Sequence, residues 1–181
     1  MKCYLETDRL VLRPFELSDA QAMYEGWTSD PEVSRYLTWK THEDIQTTKE
    51  LLSRWIAEYE KPERLNFAIE LKDEGKLIGG IDVVGYLDGV NGTPVLGYNL
   101  SRKYWNKGYM SEACSCLLDH LFSKGYEKVR IDAYIDNKAS QRVIEKCGGI
   151  YIGCGRQYLP LKDKTVMINM YLVFKPEGKK G

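Results

Sequence analysis

The sequence has no excess of either charge: 26 Lys and Arg stand against 26 Asp and Glu. No global field would hold the chain on nucleic acid or on an anionic membrane, so a small molecule, peptide or protein is the expected partner. No apolar run approaches the roughly 20 residues that cross a bilayer, and membrane insertion is not expected. Histidine is scarce, with His42 and His120 in different helical segments and without ligand-like neighbours. The five cysteines are odd in number, and Cys114 and Cys116 lack the two-residue spacer of a redox or zinc pair, so no metal site is expected. The opening residues lack the basic, apolar and small-residue succession of a secretory signal, and a reducing cytoplasm is the expected setting. Repeats and low-complexity stretches are also missing.

What is present is enough apolar material for one core. With 181 residues, 43% of them hydrophobic, one domain over residues 1–175 is expected, followed by a short frayed tail at 176–181. Residues 5–14 alternate as a first strand. Ser18 and Asp19 suit the start of a short helix reaching Trp27, which Asp30-Pro31 interrupts. Thr41 and Asp44 resemble a capping pair ahead of a helix that ends near Glu60, with Ile45, Thr48, Leu52, Trp55, Ile56 and Tyr59 at helical spacing.

Residues 66–72 and 76–86 read as a hairpin about Asp73-Glu74-Gly75, and a turn-rich stretch at 89–94 leads to a third strand at 95–101. The pattern then changes to a helix at 111–124, a strand at 129–135, a helix at 138–147 and strands near 150–156 and 165–174. Antiparallel strands first and alternating strands and helices second imply an α/β, mixed α+β architecture, one sheet with helices on its faces.

The chemistry is most legible where the strand Leu96-Gly97-Tyr98-Asn99-Leu100 is followed by Lys103-Tyr104-Trp105-Asn106-Lys107-Gly108-Tyr109-Met110-Ser111-Glu112-Ala113, which opens the helix expected from about Ser111. Unpaired N–H groups of a first helical turn, with the positive end of its dipole, suit a phosphate or pyrophosphate. Gly108 permits close backbone approach, and Lys107 adds charge. The same residues also suit a plain tight turn and helix cap. Neither a P-loop nor a dinucleotide glycine fingerprint is present. Asn137, between a strand and a helix, suits an N-cap, with Ser140 in the first turn.

Four blocks in order carry a family resemblance. They are Glu6-Thr7-Asp8-Arg9-Leu10-Val11-Leu12-Arg13-Pro14, the strand Leu96 to Leu100, the stretch from Trp105 to Ala113, and the run from Asn137 through Gly149. Together they resemble the GNAT acetyltransferases, in the branch similar to ribosomal-protein N-terminal acetyltransferases, over nearly the whole chain. The resemblance implies a central, mostly antiparallel sheet with a splayed pair of parallel strands. It also implies acetyl-CoA as co-substrate and no metal. The family's pyrophosphate turn, Q/R-x-x-G-x-G/A, maps onto Trp105 to Met110, with Met110 standing where glycine or alanine is usual.

The coenzyme contacts implied by this resemblance are Tyr98, Asn99, Leu100, Lys103, Trp105, Asn106, Lys107, Gly108, Tyr109, Met110, Ser111, Asn137 and Ser140. Ser140 falls where the branch places a group that protonates the departing thiolate. Tyr104 is a further residue expected to influence coenzyme affinity.

Acyl transfer from a thioester to an amine needs a neutral nucleophile, a donor for the developing oxyanion and a proton for the thiolate. A backbone N–H of residues 98–100 is the expected oxyanion donor. An α-amine loses its proton near pH 8, an alkylamine only near pH 10, which favours a peptide or protein N-terminus as acceptor over a polyamine, amino acid or antibiotic. Many relatives carry a glutamate base where this chain has Val95 and Leu96. Asp82 and Glu70 are the alternatives on neighbouring strands. Arg35, Tyr36 and Trp39 fall in the region that shapes the acceptor site in relatives, and Tyr158 is a further acceptor-side candidate. A non-catalytic acyl-CoA sensor is the competing class, and exposed sheet edges suit a homodimer.

Overall fold

The computed structural model describes residues 3–61, 64–89 and 92–178. The expected first strand over 5–14 is split in two: β1 (Leu5–Glu6) and β2 (Leu10–Arg13) run antiparallel. The cause is Thr7, whose N–H donates to Leu10 O at 3.0 Å while its hydroxyl accepts from Leu10 N at 2.9 Å, closing a turn that alternation alone does not reveal. α1 (Ala20–Met23) runs on into a single π-helical turn (Tyr24–Thr28). Asp30 then caps α2 (Pro31–Ser34), with proline at its tolerated first position. In α3 (Ile45–Glu58) the N-cap is Asp44 itself, which accepts from Thr47 N at 2.8 Å, so the expected pairing of Thr41 with Asp44 is not the cap.

The rest follows in chain order as β3 (Asn66–Leu71), β4 (Lys76–Leu87), β5 (Thr93–Leu100), α4 (Tyr109–Ser123), β6 (Lys128–Tyr134), α5 (Lys138–Lys146), β7 (Ile150–Leu159) and β8 (Lys164–Phe174). The connection expected at 89–94 includes residues 90 and 91, and the expected tail includes 179–181. All of these lie outside the described residues.

All eight strands form one sheet in the order β1-β2-β3-β4-β5-β6-β8-β7. Every pairing is antiparallel except β5 with β6, which share only Val95↔Arg130 and Leu96↔Ile131. Beyond Leu96 the two strands part. A bulge in β4, where the register shifts between Val83 and Gly85, bends the partner strand at this point. The mixed α/β fold with a splayed parallel pair is thus present.

Alternation explains the two layers. One set of side chains, including Phe67, Ile69, Ile81, Leu96 and Ile131, buries Leu117 and Leu121 of α4 and Ile144 of α5. Residues on the other face pack a smaller core of Phe15, Met23, Trp27, Leu52 and Ala68 under α1 and α3. The sheet therefore separates two layers of helix, and the splay is the gap between them.

Candidate active site

The loop that leaves β5 enters α4 through backbone conformations that few residues adopt. Asn106 has φ 61° and Gly108 φ 82°, and Gly108 is the N-cap of α4 with no side chain capping the helix. The N–H groups at the start of α4 are thus left for an anion, which is the arrangement a pyrophosphate requires. A Cβ at Gly108 would meet the Arg9 guanidinium at 3.4 Å as well as carrying the strain of a left-handed φ.

Arg9 is a brace that sequence reasoning placed in a family block without a role. Its Nη1 donates to Lys107 O at 3.1 Å, its Nε to Glu112 Oε2 at 2.7 Å, and its guanidinium lies 4.4 Å from the Tyr109 ring centroid. Thr7 and the Arg9 backbone N–H also donate to Glu112 Oε1. The turn between β1 and β2 thus clamps the loop and the first turn of α4 together.

Met110, the departure from the family pattern, is only 6% exposed and packs into the α4 core. It packs among apolar neighbours of the core and also contributes to the wall of the cavity over the loop. Trp105 Nε1 donates to Leu100 O at 2.7 Å, fixing the end of β5.

A cavity of about 380 Å³ lies over this loop, between α2, β5, α4 and α5. Of the residues expected at the coenzyme, its wall includes Tyr98, Asn99, Leu100, Trp105, Asn106, Gly108, Tyr109, Met110, Ser111, Asn137 and Ser140, and also Tyr104. Lys103 and Lys107 are exposed and lie outside that wall. Lys107 Nζ instead sits 5.4 Å over the Tyr104 ring.

Asn137 caps α5, its Oδ1 accepting from Ser140 N at 3.1 Å, which presents Ser140 on the first turn. The Ser140 Oγ and the Tyr98 hydroxyl are hydrogen-bonded at 2.9 Å. Burial pushes Tyr98 well above the ordinary tyrosine value, so it stays protonated beside the Ser140 hydroxyl. Sequence reasoning assigned only main-chain contact to Tyr98. Its hydroxyl is the addition made by the structure.

A larger cavity, about 960 Å³, opens on the other face of the sheet beneath residues 36–44 and α3. The two cavities share Tyr36, Leu37, Tyr98, Asn99, Asn137 and Ser140, so they meet at the splay. Trp39 lines the larger one and stacks near His42, whose Nδ1 is 2.8 Å from Thr48 Oγ1. Tyr36 packs edge-on against Tyr134, whose hydroxyl donates to Leu37 O at 3.2 Å.

Arg35 is exposed over the Tyr36 ring and does not reach either wall. Tyr158 is 57% exposed and donates to Asp163 Oδ1 at 2.8 Å; its neighbours Gln157 and Leu161 line the cavity instead.

The two carboxylates considered from sequence are in different situations. Glu70 accepts from Arg13 Nε at 2.7 Å, and Arg13 also holds Asp19, so Glu70 is committed to an ion-pair network. Asp82 lies in the wall of the larger cavity, where burial pushes its carboxyl up to about 7 against the pull of the Arg64 charge. Among the described residues there is no group of three or more His, Cys, Asp or Glu able to hold a metal ion, nor a helix long and apolar enough to cross a membrane.

Comparison with known proteins agrees with this fold. The chain is 31% identical to the Bacillus subtilis protein described as uncharacterized N-acetyltransferase YoaA, over 95% of this chain and 97% of that one. A GNAT-family acetyltransferase structure from Bacillus anthracis superposes with a TM-score of 0.82 at 26% identity, covering 95% of this chain and 98% of its own. RimL, a ribosomal L7/L12 alpha-N-protein acetyltransferase solved with coenzyme A, shares the fold at a TM-score of 0.82 and 19% identity, with 95% and 98% covered. The family described as "Acetyltransferase (GNAT) domain" matches residues 9–150, and this chain accordingly belongs to the GNAT acetyltransferases, a family of acetyl-transferring enzymes.

Proposed function

We propose that the protein moves the acetyl group of acetyl-CoA directly to a primary amine in a ternary complex, with a peptide or protein N-terminal α-amine as the leading acceptor. The observation that carries this reading is the meeting of two cavities at the splay between β5 and β6, with the Tyr98–Ser140 hydroxyl pair in the shared wall.

In this reading the free N–H groups at the start of α4 and the Gly108 turn hold the pyrophosphate, and residues 98–100 pair with the amide-bearing arm as an added strand would. When bound, the coenzyme supplies an activated acyl group and a thiolate leaving group. Beyond Leu96, β5 has no ladder partner on its β6 side, which leaves a main-chain N–H of residues 98–100 to stabilise the developing oxyanion. Ser140, hydrogen-bonded to Tyr98 at 2.9 Å, gives the departing sulfur its proton and is reprotonated by the one that the amine nitrogen loses as the amide forms. The α-amine preference rests on its lower pKa, near 8, which makes the neutral nucleophile more accessible.

A small amine is the second reading, favoured by an acceptor-side cavity of about 960 Å³, within the size range of small-molecule sites. Release of free thiol from acetyl-CoA, followed across peptides with free N-termini, polyamines and amino acids, separates the two. Turnover confined to peptides supports the first reading and turnover confined to small amines the second. Acetyl-CoA left intact with every amine contradicts both.

A further inference from the structure

Two helices that wall the smaller cavity are joined behind it by sulfur. α4 contributes Ser111 to that wall, and α5 contributes Ser140 and Lys146. Each carries a cysteine next to these residues: Cys114, one turn on from Ser111, and Cys147, which follows Lys146 as the C-cap of α5. Cys147 Sγ donates to Ser111 O at 3.6 Å and lies 3.7 Å from Ser115 Oγ. Residues 111, 114 and 115 share one face of a helix, so a sulfur seated between 111 and 115 is also beside Cys114. The two thiols are indeed hydrogen-bonded to each other.

The pair is asymmetric in the way that stepwise oxidation requires. Cys114 is fully buried, and its thiol is held well above the ordinary value by the contact with Cys147 and by burial. Cys147 is partly exposed, and the hydrogen bond to Cys114, opposed by burial and aided by Ser115, draws its thiol down. One sulfur is thus open to a small oxidant while the other waits against it in the core. The remaining cysteines are placed differently. Cys3 Sγ is 3.9 Å from His120 Nε2, Cys116 Sγ donates to Glu6 O at 3.8 Å, and Cys154 is exposed on β7. Neither Cys114 nor Cys147 lines either cavity, so acetyl transfer as described above uses neither.

We propose that Cys147 and Cys114 are a peroxide-modification site, in which Cys147 is oxidised first and Cys114 resolves it to a disulfide that ties α4 to α5 and weakens coenzyme binding. The Cys147 sulfur attacks one oxygen of the peroxide, the O–O bond breaks, and a sulfenic acid and water result. The Cys114 sulfur, losing its proton as it attacks, displaces hydroxide from the sulfenic sulfur, and the S–S bond forms with a second water. Two electrons leave the thiols and reduce one peroxide to two waters. A dithiol reductant reverses the change.

A disulfide holds its sulfurs about 2 Å apart, well inside non-bonded contact, so the end of α5 must move against α4 when it forms. The thiol hydrogen bond to Ser111 O is lost at the same time, in the first turn of the helix that opens the cradle. The effect on the coenzyme rests on the acetyl-CoA reading above, whereas the disulfide itself does not.

The test uses the full chain in two arms. In the first, reduced protein is exposed to hydrogen peroxide and its mass and unreduced peptide map are read. A loss of about 2 Da is expected, with a crosslink from Cys114 to Cys147 that dithiothreitol removes. Cys116 and Cys154 share tryptic peptides with this pair, so fragmentation must place the bond, and Cys116→Ser and Cys154→Ser should still form it. Cys114→Ala should leave Cys147 as a sulfenic acid that dimedone captures. Thiols that stay unreacted, a disulfide at any other pair, or wild-type Cys147 carried directly to sulfinic acid overturns the proposal.

The second arm titrates reduced and oxidised protein with acetyl-CoA by calorimetry. Oxidation should weaken binding at least about fivefold, reversibly, and leave Cys147→Ala unaffected. Equal affinity in the two forms overturns the link between the pair and the cavity. Reduced protein that binds no acetyl-CoA contradicts the underlying reading instead, and the mass arm still decides whether the disulfide forms.

Discussion

At the scale of single residues, the division of labour turns on which polar groups are already committed. Glu70, bound to Arg13, and Tyr158, bound to Asp163, have partners; Ser140 faces both cavities with only Tyr98 at hand. Ser140→Ala should therefore lower kcat by roughly tenfold or more while acetyl-CoA binding stays within about twofold, as general-acid roles require. Rapid-quench turnover set beside a calorimetric titration checks it, and equal turnover removes Ser140 from the proton path. Ser140 and Asn137 stood out in the sequence because they sit at a helix start in a family block, and Asn137 indeed caps α5. The Tyr98 hydroxyl and the place of Asp82 opposite Asn66 were not legible in that way, although Asp82 itself stood out as a carboxylate on a neighbouring strand. Each depends on strand register across the sheet, and a one-residue slip would turn those side chains to the opposite face.

At the scale of elements, the loop before α4 owes its shape to two unusual dihedrals and one clamp. Gly108→Ala places a side chain at φ 82° against Arg9, a strain of about 1 kcal/mol before any ligand contact is lost. Acetyl-CoA affinity should fall at least tenfold, read by calorimetry. Arg9→Ala removes the guanidinium from Lys107 O, Glu112 and the Tyr109 ring together, and should weaken coenzyme binding several-fold without touching the ligand itself. Glu112→Gln retains hydrogen-bonding capacity and should weaken it less.

The hairpin of β3 and β4 and the alternation of strands and helices after residue 95 were readable from hydrophobic period and turn residues. Other features were set by contacts distant in sequence or by side-chain hydrogen bonds with no hydrophobic signature. The break at Thr7 is one. Another is the insertion of β8 between β6 and β7, which leaves β7 as the sheet edge.

At the scale of the whole molecule, one sheet separates the core under α4 from the core under α1 and α3. Leu117 is fully buried in the first of these, so Leu117→Ala should cost about 2–5 kcal/mol of unfolding free energy, measured by denaturant titration. Asp82 makes stability depend on pH with a definite sign. Its folded carboxyl titrates at about 7, against about 3.9 unfolded, so between those values the native state binds the extra proton. The stabilisation is complete below about pH 4 and disappears as pH rises through about 7. Relative to Asp82→Asn, the wild type should lose about 2 kcal/mol between pH 4 and pH 8, the open cavity screening part of the full shift. Parallel dependence of the two proteins would show that the carboxyl titrates normally.

The central claim is that the turn at Gly108 and the start of α4 form a pyrophosphate cradle leading to the splayed strands. Calorimetric titration of the wild-type chain with acetyl-CoA, set beside S-acetylpantetheine, tests it directly. Binding at about micromolar Kd that weakens at least a hundredfold without the pyrophosphate-bearing half is the expected result. No detectable binding of acetyl-CoA, or equal affinity for the two, would contradict it.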